Sequence, residues 1–240
     1  MNLYHDTELP IREELKNTHA LALASFSEAG RWWSGRQRAA IVAEARDARC
    51  DAGLQDQAVP GPEPFELPDA AKRIARQVAV STNDLGRDFF EKALDDGLSD
   101  TQYVETVGIV SRLTNLDVFA RGIGVPPRKL AEPSSAEPSC TRPETARNEG
   151  AWTDSIPGGR RGKQEAIDTY GSNAVEGAPF IYRALSLVPE EAEGLIALGA
   201  AQYLDIGDFM DLNFSYEPNI SRAQIELLAA RVSAINECFY

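Results

Sequence analysis

The strongest constraint on the fold is a helix start followed by a long helical repeat of apolar residues. Ser99-Asp-Thr-Gln102 has the form of a capping box, with Leu98 at N′ and Tyr103 at N4 placed as a hydrophobic staple. Val104, Val107, Val110 and Leu113 then recur on one helical face, and Gly122, Gly124 and Pro126 supply the stop. Similar patterns predict helices from about Pro10 to Glu28, from Ser34 to Ala48, from Pro68 through Val78, and across Leu85, Phe89, Phe90 and Leu94 to Gly97. Pro189-Glu-Glu-Ala-Glu193 opens another, with proline at the first helical position and acid in the first turn, continuing through Leu195, Leu198 and Leu204. Runs that would read as strands are hard to find, so the chain reads as all-α.

Between these helices the composition shifts. Pro126, Pro127, Pro133, Pro138 and Pro143 punctuate a polar run in which no packed element is expected. The expected organisation is an N-terminal helical lobe over 1–125, a Pro/Gly-rich linker over 126–177 and a C-terminal helical lobe over 178–240. Gly158-Gly-Arg-Arg-Gly162 lacks the Gly-Lys-Ser/Thr ending of a phosphate loop and reads as a flexible surface turn.

At 240 residues with 43% hydrophobic content, the chain can bury one substantial core or two small ones. Its 24 basic and 37 acidic residues leave a net charge of −13, which argues against nucleic acid and anionic membrane as partners. Three scattered cysteines, 50, 140 and 238, make no disulfide framework and fit a reducing compartment. The N-terminus has no signal-peptide pattern and no segment is long enough to span a bilayer, so a cytoplasmic location is expected. Neither histidine has companion ligands at metal spacing, and no metal or cofactor is expected. Trp32-Trp33 reads as a hydrophobic anchor.

The last helix carries the chemistry. Ser221 is a capping residue, and Ile225, Leu228, Val232 and Ile235 repeat at three- and four-residue steps. Asn236 interrupts the pattern, which would place Cys238 at N2 of a second helix capped by Asn236, where unpaired N–H groups favour thiolate. Glu226 precedes Cys238 by twelve positions, roughly 18 Å along a straight helix. Only a chain reversal near Asn236 could bring them together. Taken alone, Cys238 also reads as a small structural core residue.

Glu226 and the stretch Arg231-Val-Ser-Ala-Ile-Asn-Glu-Cys-Phe-Tyr240 resemble the active-site helix of the alkylhydroperoxidase D and carboxymuconolactone decarboxylase superfamily, in its Cys-x-x-Cys peroxidase branch. The resemblance implies a helical alkylhydroperoxidase-like architecture of two degenerate lobes, the second incomplete. It implies that Glu226 belongs to a proton relay and that Cys238 is the resolving cysteine. The peroxide-attacking residue would be position 241, and a histidine would follow it; the expectation is that the product continues there with selenocysteine, as part of a longer protein. The implied activity is antioxidant reduction of a hydroperoxide at the expense of a dithiol reductant, thioredoxin-like or lipoyl-bearing, in a homo-oligomer. Whether these 240 residues alone are an enzyme stays open, since they lack the attacking residue and the histidine. The alternatives are a non-catalytic helical scaffold or oligomerisation module and a carboxymuconolactone decarboxylase-like enzyme. A fold cut short would leave an apolar patch exposed on Leu195 to Leu204, beside Cys238.

Two weaker echoes accompany that match. Gly97-Leu-Ser-Asp-Thr-Gln-Tyr-Val-Glu105 resembles a helix start of the same superfamily, although Glu105 itself reads as a solvated helix residue. Ser34 to Cys50 repeats the layout of Ser221 to Cys238, with Arg38 in the place of Glu226 and Gly53 in the place of a second cysteine. That copy is expected to be scaffold, with Cys50 inert and Cys140 an exposed thiol.

Overall fold

The computed structural model describes residues 3–56, 59, 65–204, 208, 211–215 and 220–238. Its described residues are helical: α1 Glu13–Ser25, α2 Gly35–Asp51, α3 Asp69–Val80, α4 Arg87–Asp95, α5 Asp100–Gly122, α6 Lys163–Tyr170, α7 Phe180–Arg183, α8 Pro189–Gln202 and α9 Arg222–Ile235. Among them the one β-type pairing is an isolated bridge between Arg147 and Ser155. The protein is all-α, and it divides into two compact units, Met1–Gln202 and Tyr203–Tyr240.

In the first unit α5 is the central element. Its N-terminus carries the capping box expected from the sequence: Ser99 Oγ accepts from Gln102 N–H at 3.1 Å, and Gln102 Oε1 accepts from Ser99 N–H at 3.0 Å. Leu98 and Tyr103 are both buried in the core. Buried side chains lie all around α5, including Val104, Ile109, Val110, Leu113 and Ala120, as befits a helix enclosed by others. It packs against α1, α2, α3, α4 and α8. The buried residues of α2 and α3 include several small ones, Ala45 and Ala48 on one and Ala70, Ala71 and Ala75 on the other, which lets these two helices approach closely. Trp33 is buried as an anchor, its indole N–H donating to Thr106 Oγ1 at 3.1 Å.

Two expectations about organisation are corrected. Residues 126–158 do lack helix, but they are not a detached linker. Ser134 N–H donates to Ser27 O at 2.8 Å, Cys140 N–H donates to Arg31 O at 2.7 Å, and Arg142 bridges Asp100 and Asp154. Backbone N–H groups that the proline-rich sequence leaves without helix partners thus find acceptors at Ser27 and Arg31. Further on, α6 packs a small core of Ile156, Ala166 and Tyr170. The second correction concerns α8, which packs on α1, α5 and α6. The division therefore falls after Gln202 and not around a 126–177 linker. Composition signalled the absence of helix correctly; it carries no information on whether an extended segment is tied down.

The second unit contains α9, again opened by a capping box, between Ser221 and Gln224. Its apolar residues are exposed: Leu227 by 70%, Leu228 by 59%, Val232 by 56% and Ile235 by 62%. The exposed patch thus lies on α9 itself, whereas Leu198 is fully buried in the first unit's core and Leu195 packs against that core.

Candidate functional site

Glu226 sits in the second turn of α9 and is held from two sides. Arg222 Nε donates to its Oε1 at 2.6 Å across one helical turn, and Tyr203 Oη donates to its Oε2 at 2.8 Å. Arg222 is itself buried and also donates to the carbonyls of Asp208 and Asp211. The bonds from Arg222 and then Tyr203 hold the Glu226 carboxyl below its ordinary pKa. Burial first, and Glu226 second, push the Tyr203 phenol up.

Cys238 lies at the other end of the same helix. Asn236 is the C-cap, Glu237 takes a left-handed conformation with φ of 51°, and Cys238 N–H donates to Ser233 O at 2.9 Å while Glu237 N–H reaches Ala234 O at 3.4 Å. These are the two bonds of a Schellman motif. The expectation that Cys238 stands at N2 of a new helix is therefore corrected: it is two residues past the C-cap of α9, beside the carbonyl end of that helix. Asn236 does mark a break, but as a stop, because the left-handed residue that follows it closes the helix. The thiol is exposed. Glu226 and Cys238 are separated by the last nine helical steps of α9, about 13 Å, and are not brought together. Phe239 and Tyr240, which complete the stretch of resemblance, lie outside the described residues.

A second constellation was not foreseen. Arg38 on α2, Glu105 and Arg112 on α5, and Glu191 on α8 meet inside the first unit, with side chains 0% to 4% exposed. Arg38 Nη1 donates to Glu105, and Arg38 Nη2 donates to Glu191 Oε1 at 2.9 Å. Arg112 donates to Glu191 Oε2 through Nε at 2.9 Å and Nη2 at 2.6 Å. Trp32 N–H donates to the remaining Glu105 oxygen at 2.7 Å, and Arg38 Nε donates to Ser25 O at 3.1 Å. Two cations thus balance two carboxylates and their polar atoms are bonded. Glu105 is not a solvated helix residue. Burial raises its pKa to about 7, with Arg38 pulling down and Glu191 pushing up. The cluster is sealed from solvent and ties three helices together. One signal in the sequence could have found it: Arg112 follows Glu105 by seven residues, two turns along the same face as buried apolar positions.

The remaining candidates are structural. His19 is fully buried, with Tyr4 Oη 2.6 Å from Nδ1 and Gln202 Nε2 2.7 Å from Nε2. The amide nitrogen can only donate, so Nε2 accepts and the ring proton rests on Nδ1, pointing at the Tyr4 oxygen. Burial lowers the His19 pKa to about 4. A folded pKa below the unfolded value of about 6.5 means that its contribution is complete above 6.5 and is lost as pH falls through 4. A His19→Gln variant is expected to be less stable than the parent at pH 7.5, and this deficit should shrink as pH falls from 6.5 toward 4; thermal unfolding of both proteins across that range measures it. Cys50 is partly buried, burial pushes its thiol pKa up, and Cys140 is exposed. Among the described residues no group of His, Cys, Asp or Glu could hold a metal ion, and no helix is long and apolar enough to cross a membrane.

No protein-family model matches this chain, and neither a characterised protein nor a solved structure matches it.

Proposed function

We propose that this chain belongs to an alkylhydroperoxidase-like thiol or selenol peroxidase, with its redox chemistry in the C-terminal unit and residues 1–202 as scaffold. The observation that carries this reading is an anchored carboxylate near the start of α9 and an exposed thiol beyond its end: Glu226 held by Arg222 and Tyr203, and Cys238 presented just past the C-cap. Glu226 is a carboxylate with a phenol already bonded to it, the parts of a proton relay. Glu237, with its positive φ, turns the chain off the axis of α9, which is where a reversal must begin if the following residues are to return toward Glu226.

In this reaction a thiolate or selenolate partnered with Cys238 attacks the hydroperoxide. The O–O bond breaks, the alcohol leaves with a proton from the relay, and the attacking atom becomes a sulfenic or selenenic acid. The Cys238 thiolate then displaces water from it to form a disulfide or selenenylsulfide. A dithiol donor returns the two electrons by exchange. The balance is one hydroperoxide and one dithiol in, with one alcohol, one water and one disulfide out.

A second reading, a non-catalytic oligomerisation module, is favoured by the exposed Leu228, Val232 and Ile235 on α9. Steady-state turnover of tert-butyl hydroperoxide with dihydrolipoamide by the complete gene product separates the two. The peroxidase reading expects turnover that Cys238→Ser abolishes and that Cys50→Ser and Cys140→Ser leave intact. Absence of turnover in the complete product, together with loss of self-association on Val232→Asp, would favour the module.

A further inference from the structure

A cavity of about 280 Å³ opens between the C-terminal ends of α2 and α5. Two guanidinium groups, those of Arg49 and Arg121, line it. Arg49 is 8% exposed; its Nη1 donates to Ala79 O at 3.0 Å, while its Nε has no hydrogen-bond partner. That nitrogen is shut off from solvent, so a ligand in the cavity meets the remaining edge of the guanidinium. Arg121 is more exposed and is steadied by one bond from Nη1 to Leu54 O at 2.9 Å. Its remaining donors are not used by that bond.

The acidic groups at the cavity answer this charge only in part. Asp117 lines it, but both of its oxygens are taken by Arg46, Nε to Oδ2 and Nη2 to Oδ1, each at 2.8 Å. Asp56 is exposed. Burial, with Arg121 adding to it, holds the Arg49 pKa below its ordinary value, against the pull of Asp117, which is the signature of a cation lacking a full counter-charge. The rest of the lining includes Leu54, Val125, Pro126 and Pro127, an apolar wall beside the two cations.

We propose that this cavity is a binding site for a small aliphatic monocarboxylate, whose carboxylate pairs with the Arg49 and Arg121 guanidiniums and whose hydrocarbon chain lies against Val125 and the two prolines. The charge of Asp56 selects a single negative charge over a dianion. The volume sits just below the range of about 300–1,000 Å³ usual for small-molecule sites and suits a chain of about six carbons. The site lies in the first unit and is independent of Cys238.

The test is calorimetric titration of the full chain with hexanoate in chloride-free buffer. Saturable binding is expected, weakened about tenfold or more by Arg121→Gln, because a charge-assisted bond is lost while the protein forfeits only one surface contact. Arg49→Lys should weaken hexanoate similarly, since it keeps the charge but removes the planar fork of guanidinium donors, and circular dichroism checks that its fold is retained. Hexylamine should give no saturable heat. The proposal is overturned if hexanoate fails to saturate below about 20 mM, if Arg121→Gln binds it undiminished, or if hexylamine binds as well.

Discussion

Glu191→Ala should destabilise the first unit by about 3–5 kcal/mol, the cost of removing one partner from a buried charge network. Glu191 takes one bond from Arg38 and two from Arg112. Without it two guanidiniums remain buried opposite the single carboxylate of Glu105, and Arg112 keeps only its bond to Ser25 Oγ and its position over the Phe26 ring. Domains of ordinary stability have about 5–15 kcal/mol in total, so the variant should unfold at much lower urea. The neighbouring Glu190→Ala is the control. Glu190 also pairs with an arginine, Arg31, but its side chain is 57% exposed. Its loss should cost about 1 kcal/mol or less. Urea midpoints of the two variants, measured side by side, separate burial from pairing; equal shifts would show that the network is not held as described.

The second large effect is expected at a glycine. Gly108 lies on α5 where α8 crosses, and a Cβ there would stand 2.6 Å from both Cβ and Oε2 of Glu191. Neither can yield, because the Glu191 oxygens are held by two arginines. Gly108→Ala must therefore push α8 away or break the network, at a cost of about 3 kcal/mol, the upper end for overpacking. Gly199→Ala, in α8 with nothing within 4 Å of the new methyl group, should instead stabilise by about 0.5–1 kcal/mol through helix propensity. Opposite signs from the same substitution in two packed helices, read as thermal midpoints, are the expected result.

Much of the helical framework was legible because helix ends have local chemistry. Ser99 with Gln102, and Pro189 with its two glutamates, act on their own first turns, so their meaning does not depend on the rest of the chain. Glu105 was misread for the opposite reason. Its burial depends on Arg38, sixty-seven positions away, and on Trp32, neither of which its local pattern identifies. Arg38 was seen only as the residue replacing an acid in a degenerate copy. Its substitution of charge makes sense once Glu105 and Glu191 stand on either side of it. The 126–177 segment was read from what proline prevents, whereas its position is set by Ser27 and Arg31. At Cys238 the break at Asn236 was legible, but its sense was not: the same residue type serves at helix starts and stops, and the left-handed Glu237 decided between them.

The exposure of Cys238 and its placement just past the C-cap of the helix that carries Glu226 are the centre of the functional reading. Mass-spectrometric mapping of all three cysteines in the complete gene product, seconds after one equivalent of tert-butyl hydroperoxide, tests it most directly. The account expects Cys238 to be oxidised first, in a bond to a second thiol or selenol with loss of two hydrogens, while Cys50 and Cys140 remain thiols. Oxidation of the exposed Cys140 at the same rate, or an unreacted Cys238, would contradict it.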